Sequence, residues 1–170
     1  MAPAHNSPPI VLVDGRSGAG KTEYSQVLAR ELEATLISLD EVYPGWDGLD
    51  AGSAHVFSRV VVPFSSGQPG TYTTWDWVAR RAGTPVTVNP SHALIIEGCG
   101  AIRAESVAFA TRVVWMDASE ETRKARALAR DGEMFRPHWT RWALQEERFM
   151  AIHGSPQLAN ETFFRVSNGA

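Results

Sequence analysis

The feature that most constrains this chain is a glycine-rich octapeptide near its start, Gly15-Arg16-Ser17-Gly18-Ala19-Gly20-Lys21-Thr22. It fits the pattern G-x-x-x-x-G-K-[ST], in which backbone N–H groups surround a phosphate at the N-terminus of a helix. Such a loop requires a strand before it and a helix after it. The β-branched run at 10–14 predicts the strand, and the apolar spacing of Tyr24, Val27, Leu28 and Leu32 predicts a helix to about Glu33.

The octapeptide predicts a site for a nucleoside triphosphate, with all eight residues around the phosphates. Lys21 is expected to reach the β- and γ-phosphates, and the Thr22 hydroxyl is expected to hold Mg²⁺. Single residues exclude two other glycine motifs. A dinucleotide-binding G-x-G-x-x-G would need glycine where Glu23 stands, and a hydrolase G-x-S-x-G would need glycine where Ala19 stands.

Further along the chain, strand-like apolar runs alternate with helical patterns. Strands are predicted at 35–39, 93–97, 112–117 and 163–166, and residues 71–77 and 85–88 are either short strands or one irregular excursion. Helices are predicted at 51–64, at 119–130 with Ser119 as the N-cap, and through Trp139, Trp142, Glu146 and Phe149. The alternation predicts an α/β P-loop NTPase fold: one domain over residues 1–170, with a mostly parallel sheet covered by helices on both faces.

Composition and charge restrict the expected partners. The formal net charge is −3, so neither a nucleic-acid polymer nor a membrane is an expected partner. Cys99 is the one cysteine of the sequence, which excludes an intrachain disulfide and a cysteine-based zinc site. No signal-peptide pattern or long apolar run is present, so a reducing, cytoplasmic compartment is expected.

Among proteins with this loop, a small kinase fits the chain best. A GTPase would carry an N/T-K-x-D motif that recognises the base, and neither Lys21 nor Lys124 lies in one. Large motor-type ATPases need a longer chain. The sequence therefore favours a kinase that phosphorylates a small molecule or a nucleotide.

Two acidic residues follow predicted strands and therefore fall at the mouth of the sheet. Asp40 follows the second strand, where a carboxylate can accept the proton of an attacking hydroxyl or help to position Mg²⁺. The alternative is that Asp40 only caps the following turn. Glu97 ends the third buried strand, where it can bind Mg²⁺ through water or contact substrate, and a structural role is its alternative.

Arginines precede a predicted break in the chain at Asp131-Gly132. Arg123, Arg126 and Arg130 share one helix face because they are three and four residues apart. A short lid is expected from about Asp131 to Trp139. Arg126 and Arg130, which lie nearest to it, are predicted to neutralise charge on the transferred phosphoryl group. The alternative is a solvated basic face.

Aromatic residues supply candidates for binding the phosphoryl acceptor. Tyr43 and Trp46 lie in a turn-rich stretch next to Asp40, where they could stack against a planar substrate. The aromatic residues of the last helix are predicted to pack in the core or the lid. Glu146 lies on the same helix face as these aromatic residues, and it is predicted to reach an arginine.

Together these segments resemble the uridine kinase-like group of P-loop kinases. The resemblance covers about Val11 to Asp131 and rests on the glycine-rich loop, Leu39-Asp40-Glu41-Val42-Tyr43, Thr74-Trp75-Asp76-Trp77, Ile95-Ile96-Glu97-Gly98 and Arg123-Lys124-Ala125-Arg126 through Arg130-Asp131. It implies ATP and Mg²⁺ as cofactors, Asp40 as the base toward a substrate hydroxyl, and arginines before the lid that contact ATP. It also implies that the Trp-Asp-Trp segment lies near the acceptor, which makes Asp76 and Arg80 candidate acceptor-site residues.

The expected function is transfer of the γ-phosphoryl group of ATP to a hydroxyl of a small metabolite, and the resemblance favours a uridine-like nucleoside. Lys21, Asp40, Arg126 and Arg130 are the expected catalytic residues. One alternative is a nucleoside monophosphate kinase, whose acceptor phosphate needs further cations, with candidates Arg59, Arg80, Arg81 and Arg103. The other alternative is a nucleotide-binding regulatory protein without transfer activity.

Overall fold

The computed structural model describes residues 7–166, which form a five-stranded parallel sheet with helices on both faces and a separate two-stranded hairpin. The strands of this region are β1 (Ile10–Asp14), β2 (Thr35–Ser38), β3 (Gly70–Asp76), β4 (Arg81–Val88), β5 (Leu94–Glu97), β6 (Arg112–Asp117) and β7 (Glu161–Phe164). The main sheet has the order β2-β5-β1-β6-β7, and every pairing in it is parallel. The predicted α/β P-loop fold is confirmed.

The helices are α1 (Lys21–Glu31), α2 (Leu49–Val56), α3 (Val62–Ser65), α4 (Glu120–Asp131), α5 (Trp139–His153) and α6 (Ser155–Leu158). A π-helical turn, Phe57–Val61, joins α2 to α3. Ser119 caps α4 as predicted, because its side chain accepts a hydrogen bond from the Thr122 N–H. None of these helices combines the length and the apolar character that a membrane span requires.

The sheet brings the carboxyl ends of β1, β5 and β2 side by side. β5 lies between the other two, and its last residue, Glu97, is level with Val13 of β1 and with Ser38 of β2. The loops that follow these three strands therefore open at one edge of the sheet, where ligands bind in open α/β folds. This register places the glycine-rich loop, Asp40 and Glu97 in one neighbourhood.

The core lies on both faces of the sheet. Leu12 and Ile96 point into a large apolar cluster that α2, α5 and the β3–β4 hairpin cover, whereas Val11 and Ile95 point to the other face, which α1 covers. All residues of β1 and β5 are buried. Continuous burial is the pattern of central strands in a parallel sheet with helices on both sides.

Some element boundaries differ from the sequence-based prediction. Residues 70–76 and 81–88 pair as an antiparallel hairpin outside the main sheet. The helix predicted at 51–64 begins at Leu49 and is interrupted by the π-helical turn next to Pro63, which has no N–H to donate to the preceding turn. α1 ends before Glu33, whose φ of 51° is left-handed, and the last strand starts at Glu161, two residues earlier than predicted.

Candidate functional site

The glycine-rich loop lies in close contact with the backbone of neighbouring elements, and only glycine fits at two of its positions. A Cβ on Gly18, whose φ is +81°, would lie 2.0 Å from the carbonyl oxygen of Arg123. A Cβ on Gly15 would lie 2.1 Å from the carbonyl oxygen of Met116. The loop is therefore packed on β6 and α4, and the chain can follow this path only without side chains at these positions.

The buried carboxylate of Glu146, on α5, holds the loop from the other side. Its Oε2 accepts a hydrogen bond from Arg16 Nε at 2.8 Å, and its Oε1 accepts one from the Ser17 backbone N–H at 2.7 Å. The Cys99 thiol donates to the same Oε1 at 3.3 Å. The prediction that Glu146 reaches an arginine is confirmed, and that arginine belongs to the glycine-rich loop.

Lys21 is buried with its ammonium facing the loop and β5. Its Nζ donates to the Arg16 carbonyl at 3.0 Å and lies 3.7 Å from Cys99 Sγ. Burial disfavours the charged ammonium, but the carboxylates of Glu97, Glu146 and Asp40 act in the opposite direction, and the pKa of Lys21 lies above its ordinary value. Because burial raises the pKa of Cys99 to about 12, that thiol is neutral at pH 7. Lys21 is then charged at neutral pH and suited to bind phosphate oxygens.

Glu97 gathers two hydroxyl groups at the mouth of the sheet. Its Oε1 accepts hydrogen bonds from Ser38 Oγ at 2.6 Å and from Thr22 Oγ1 at 3.3 Å. The pKa of Glu97 is raised by its burial and by the negative charge of Asp40, so this carboxylate lies where additional positive charge would stabilise it. Sequence reasoning proposed Thr22 and Glu97 separately, and the structure brings them into contact.

The oxygen groups at this point fit Mg²⁺. Thr22, Asp40 and Glu97 line one cavity and offer hydroxyl and carboxylate oxygens, which are the ligands that Mg²⁺ prefers. No group of three His, Cys, Asp or Glu side chains within residues 7–166 could hold a metal by itself. Mg²⁺ usually keeps several waters and binds through one or two carboxylates together with substrate phosphates, so a metal here would depend on the bound triphosphate.

A cavity of about 480 Å³ opens above the glycine-rich loop. Its lining includes Lys21, Thr22, Asp40 and Glu97, together with Arg126 and Arg130 from α4 and Arg165 just after β7. Arg126 Nη1 is buried and has no hydrogen-bond partner, which is unfavourable for a guanidinium nitrogen without a ligand. The cavity thus combines the phosphate loop with unsatisfied positive charge.

A second cavity, of about 360 Å³, adjoins the first. Five aromatic side chains line it: Tyr43, Trp46, Trp77, Phe135 and Trp142. The two cavities share Ser17, Thr22, Asp40 and Arg130. The first cavity therefore contacts the glycine-rich loop, the second has aromatic walls, and the carboxylate of Asp40 lies where the two cavities meet.

Neighbouring side chains hold Asp40 and Arg130 at this junction. Arg130 Nη1 lies 3.8 Å from Asp40 Oδ2, and Arg130 also pairs with Asp131 at 2.7 Å. The indole Nε1 of Trp77 donates to the backbone carbonyl of Asp40 at 2.9 Å. The hairpin that carries Trp77 thus fixes the turn that carries the carboxylate.

The segment predicted as a lid, 131–139, folds as two 3₁₀ turns, Gly132–Met134 and Arg136–His138, between α4 and α5. Trp46 stacks almost parallel on Phe135, with ring centroids 5.4 Å apart, and on His138, with centroids 4.4 Å apart. Phe135 and Trp139 are buried. The segment therefore packs on Trp46 and contributes Met134 and Phe135 to the lining of the aromatic cavity.

Some predicted residues lie apart from these cavities. Asp76 begins the turn of the hairpin, where its Oδ1 accepts hydrogen bonds from the Val78 and Ala79 N–H groups at 3.0 and 2.9 Å. Arg80 follows in the same exposed turn and lines neither cavity. Arg123, on the predicted arginine face, is buried under the glycine-rich loop and donates to the carbonyls of Ala118 and Ser17.

Sequence reasoning missed several residues that the structure brings to the site. These residues, Arg165, Cys99, Ser38, Phe135 and Trp142, all line a cavity. A signal existed for Ser38, which ends a strand beside Asp40. Arg165 carried no such signal, because it is separated from the loop by more than 140 residues and follows an unremarkable strand.

Comparisons with known proteins bear on the fold. No protein-family model matches the sequence, and no curated protein matches it. Among solved structures, the chain is similar to a possible uridine kinase from Bacillus stearothermophilus, with a TM-score of 0.64 and 15% identity over 94% of this chain and 90% of that one. It is also similar to a candidate fructose transport system kinase from Silicibacter sp. TM1040, with a TM-score of 0.57 and 17% identity over 96% of this chain and 93% of that one. The chain therefore has the fold of uridine kinase-like P-loop kinases.

Proposed function

We propose that the protein is an ATP- and Mg²⁺-dependent kinase that transfers the γ-phosphoryl group to a hydroxyl of a small metabolite. The observation that carries the proposal is the junction of the two cavities. The phosphate-loop cavity and the aromatic cavity meet at Thr22, Asp40 and Arg130. A donor triphosphate and an acceptor hydroxyl can therefore meet with a carboxylate and a guanidinium between them, as in-line phosphoryl transfer requires.

On the donor side, the glycine-rich loop and the start of α1 bind the phosphates, and Lys21 contributes a buried positive charge. Thr22, with Asp40 and Glu97 beside it, holds the metal, which neutralises phosphate charge when bound. Arg126 and Arg130 project from α4 into the same cavity. Their guanidinium groups stabilise the charge that spreads over the transferred group.

On the acceptor side, Asp40 orients the substrate hydroxyl and takes its proton. The hydroxyl oxygen then forms a bond to the γ-phosphorus, and the bond from that phosphorus to the β–γ bridging oxygen breaks. ADP leaves with the bridging oxygen's electron pair, and the proton remains on the Asp40 carboxyl until solvent removes it. Positioning and electrostatics account for most of the catalysis in such a site.

A nucleoside is the first acceptor to test, because Tyr43, Trp46 and Trp77 provide aromatic surface for a flat base. A nucleoside monophosphate is a weaker candidate. Among the described residues that line the aromatic cavity, Arg130 is the one cation, and it already pairs with Asp131 and Asp40. Arg103, one of the cations suggested for an acceptor phosphate, instead binds Asp50 at 2.7 Å. Asp76 and Arg80 enter the site only if the hairpin turn moves toward the acceptor.

The test is an ADP-release screen over nucleosides, nucleotides, sugars, vitamins and aminoglycosides. Lys21→Ala is expected to abolish turnover. Asp40→Asn is expected to retain ATP binding and to lower kcat by at least about 100-fold, since general bases contribute about 10²–10⁴-fold. Lys124→Ala and Glu41→Gln are matched controls on exposed side chains and are expected to change little.

Three results would contradict these assignments. Full turnover in Asp40→Asn would remove Asp40 as the base. A monophosphate accepted where no nucleoside is would reverse the choice of acceptor. ATP hydrolysis that no acceptor in the screen stimulates would favour a regulatory nucleotide-binding protein instead.

A further inference from the structure

The rings that line the aromatic cavity are set at steep angles to one another. The ring centroid of Trp46 lies 4.9 Å from that of Trp77, with the planes at 54°, and 6.3 Å from that of Trp142, with the planes at 88°. Phe135 is nearly parallel to Trp46, but at 5.4 Å it is too close to admit a flat base, which needs about 7 Å between two rings. Rings at such angles suit a compact cationic group, because aromatic faces attract positive charge.

The polar atoms of this cavity leave little to recognise the edge of a base. Trp77 Nε1 donates to the Asp40 carbonyl, and the Tyr43 hydroxyl donates to the Cys99 carbonyl at 2.7 Å. No Asn, Gln or His side chain occurs among the described residues that line the cavity. Sequence-specific binding of a base requires hydrogen bonds to its edges. The cavity therefore offers aromatic surface without the groups that distinguish one neutral base from another.

The charges of the described lining residues are two carboxylates, Asp40 and Asp131, and one guanidinium, Arg130. Arg130 Nη2 lies 2.7 Å from Asp131 Oδ2, and Arg130 Nη1 lies 3.8 Å from Asp40 Oδ2. The side chains of Asp131 and Asp40 are 34% and 52% exposed, so a ligand can reach both. The two carboxylates share a single counter-charge.

This counter-charge is also needed elsewhere in the site. Arg130 lines the phosphate-loop cavity as well, where the proposed reaction assigns it to the transferred phosphoryl group. Phosphate oxygens that bind the guanidinium compete with Asp131 for its N–H groups. A bound triphosphate thus leaves the Asp131 carboxylate with less positive charge beside it, and a cationic ligand in the aromatic cavity restores the balance.

We propose that the acceptor is an amino alcohol that is cationic at neutral pH, with aromatic rings around its ammonium group and Asp131 as the counter-charge. The inference rests on the proposed function and narrows its acceptor to this class, ahead of neutral nucleosides. The transfer step is unchanged: the alcohol oxygen bonds to the γ-phosphorus, the bond from that phosphorus to the β–γ bridging oxygen breaks, and the hydroxyl proton passes to Asp40. The ammonium keeps its proton and takes no part in the bond changes.

Calorimetry on the full chain with Mg²⁺ and the non-hydrolysable analogue AMPPNP tests the proposal. The probes are two matched pairs, choline with 3,3-dimethylbutan-1-ol and 2-amino-1-phenylethanol with 1-phenylpropan-1-ol, together with uridine. In each pair a neutral carbon replaces the charged nitrogen. The amine of at least one pair is expected to bind at least about tenfold more tightly than its neutral partner, since cation–π contacts with several rings add to the attraction of the carboxylate. ADP release with ATP should show the same difference in KM.

Asp131→Asn separates the carboxylate from the rings. It is expected to lower the preference for the amine by about three- to tenfold and to leave the affinity of the neutral partner unchanged. Glu133→Gln is the matched control, because it removes one negative charge from the same segment at a side chain that is 85% exposed, pairs with Arg136 and lines neither cavity. This control is expected to keep the full preference.

The outcomes distinguish the inference from the function on which it rests. If neither amine binds better than its neutral partner, or if uridine binds more tightly than both amines, the amino alcohol is wrong and the kinase assignment stands. A preference that persists unchanged in Asp131→Asn, or that Glu133→Gln lowers equally, would overturn Asp131 as the counter-charge. Failure of the wild-type protein to bind AMPPNP would instead overturn the proposed function.

Discussion

Removal of the buried carboxylate on α5 should destabilise the phosphate loop and the fold together. Glu146→Ala deletes the partner of Arg16 Nε and of the Ser17 N–H, which lie 2.8 and 2.7 Å from its oxygens. Its side chain is 4% exposed, so water cannot fully replace it. Breaking a buried ion pair by removal of one partner costs about 3–5 kcal/mol. For a domain of this size, we expect Tm to fall by about 10 °C.

Two further variants separate charge from shape. Glu146→Gln keeps an oxygen for the Ser17 N–H but loses the ionic partner of Arg16, so its loss of stability should be roughly half of that in Glu146→Ala. Glu147→Gln is the matched control, because Glu147 lies 3.4 Å from Arg16 but is 58% exposed. Urea unfolding measures the free energies, and calorimetry with AMPPNP measures the loop. If Glu147→Gln costs as much as Glu146→Ala, or if Glu146→Ala costs less than about 1 kcal/mol, this account of the loop is wrong.

Two more predictions concern the pH dependence of stability, through Asp14, and the hydrogen bond from Trp77 that positions Asp40. Burial raises the pKa of Asp14 from 3.8 to about 6, although the Gly15, Gly100 and Ile102 N–H groups donate to its carboxylate. A raised folded-state pKa favours folding below pH 3.8, and this contribution is lost as the pH rises through 6. The free energy of unfolding of wild type relative to Asp14→Asn should therefore fall by about 2 kcal/mol between pH 4 and pH 7. A constant difference across that range, measured by urea unfolding, would refute the raised pKa. Trp77→Phe removes the hydrogen bond to the Asp40 carbonyl and should lower kcat by about three- to tenfold while Tm falls by only about 2–4 °C. An unaltered kcat would show that the hairpin does not position Asp40.

The local elements near the phosphate loop were predictable because short-range patterns determine them. β1, the glycine-rich loop and α1 follow each other directly in the sequence. Glycine is required at positions 15 and 18, because a Cβ there would collide with a backbone carbonyl oxygen. Ser119 marks the start of α4, because its side-chain oxygen accepts a hydrogen bond from the Thr122 N–H three residues later. The hairpin was harder to predict, because most residues of β4 are exposed and show no alternating pattern.

Groups that meet across long sequence separations were only partly predictable. Glu146 stood out in the sequence because it lies among aromatic residues on one helix face, and an arginine partner was predicted for it. The sequence did not indicate that Arg16 and the Ser17 N–H both donate to its carboxylate. Asp76 matched the expected segment in type and order, yet its Oδ1 accepts hydrogen bonds from the hairpin turn. The Trp-Asp-Trp motif identifies candidate acceptor-site residues, but the direction of each side chain depends on the strand pairing around it.

The sequence by itself determined that this chain forms a parallel α/β sheet with a phosphate loop after its first strand, since apolar periodicity and glycine spacing act over a few residues. Only the tertiary structure decided which groups share the resulting space. The order β2-β5-β1 brings Ser38, Glu97 and Thr22 into hydrogen-bond contact, and the final parallel strand carries Arg165 back over Gly20. The physical reason is that sheet register and helix packing join residues through burial of the whole core, which no local pattern records.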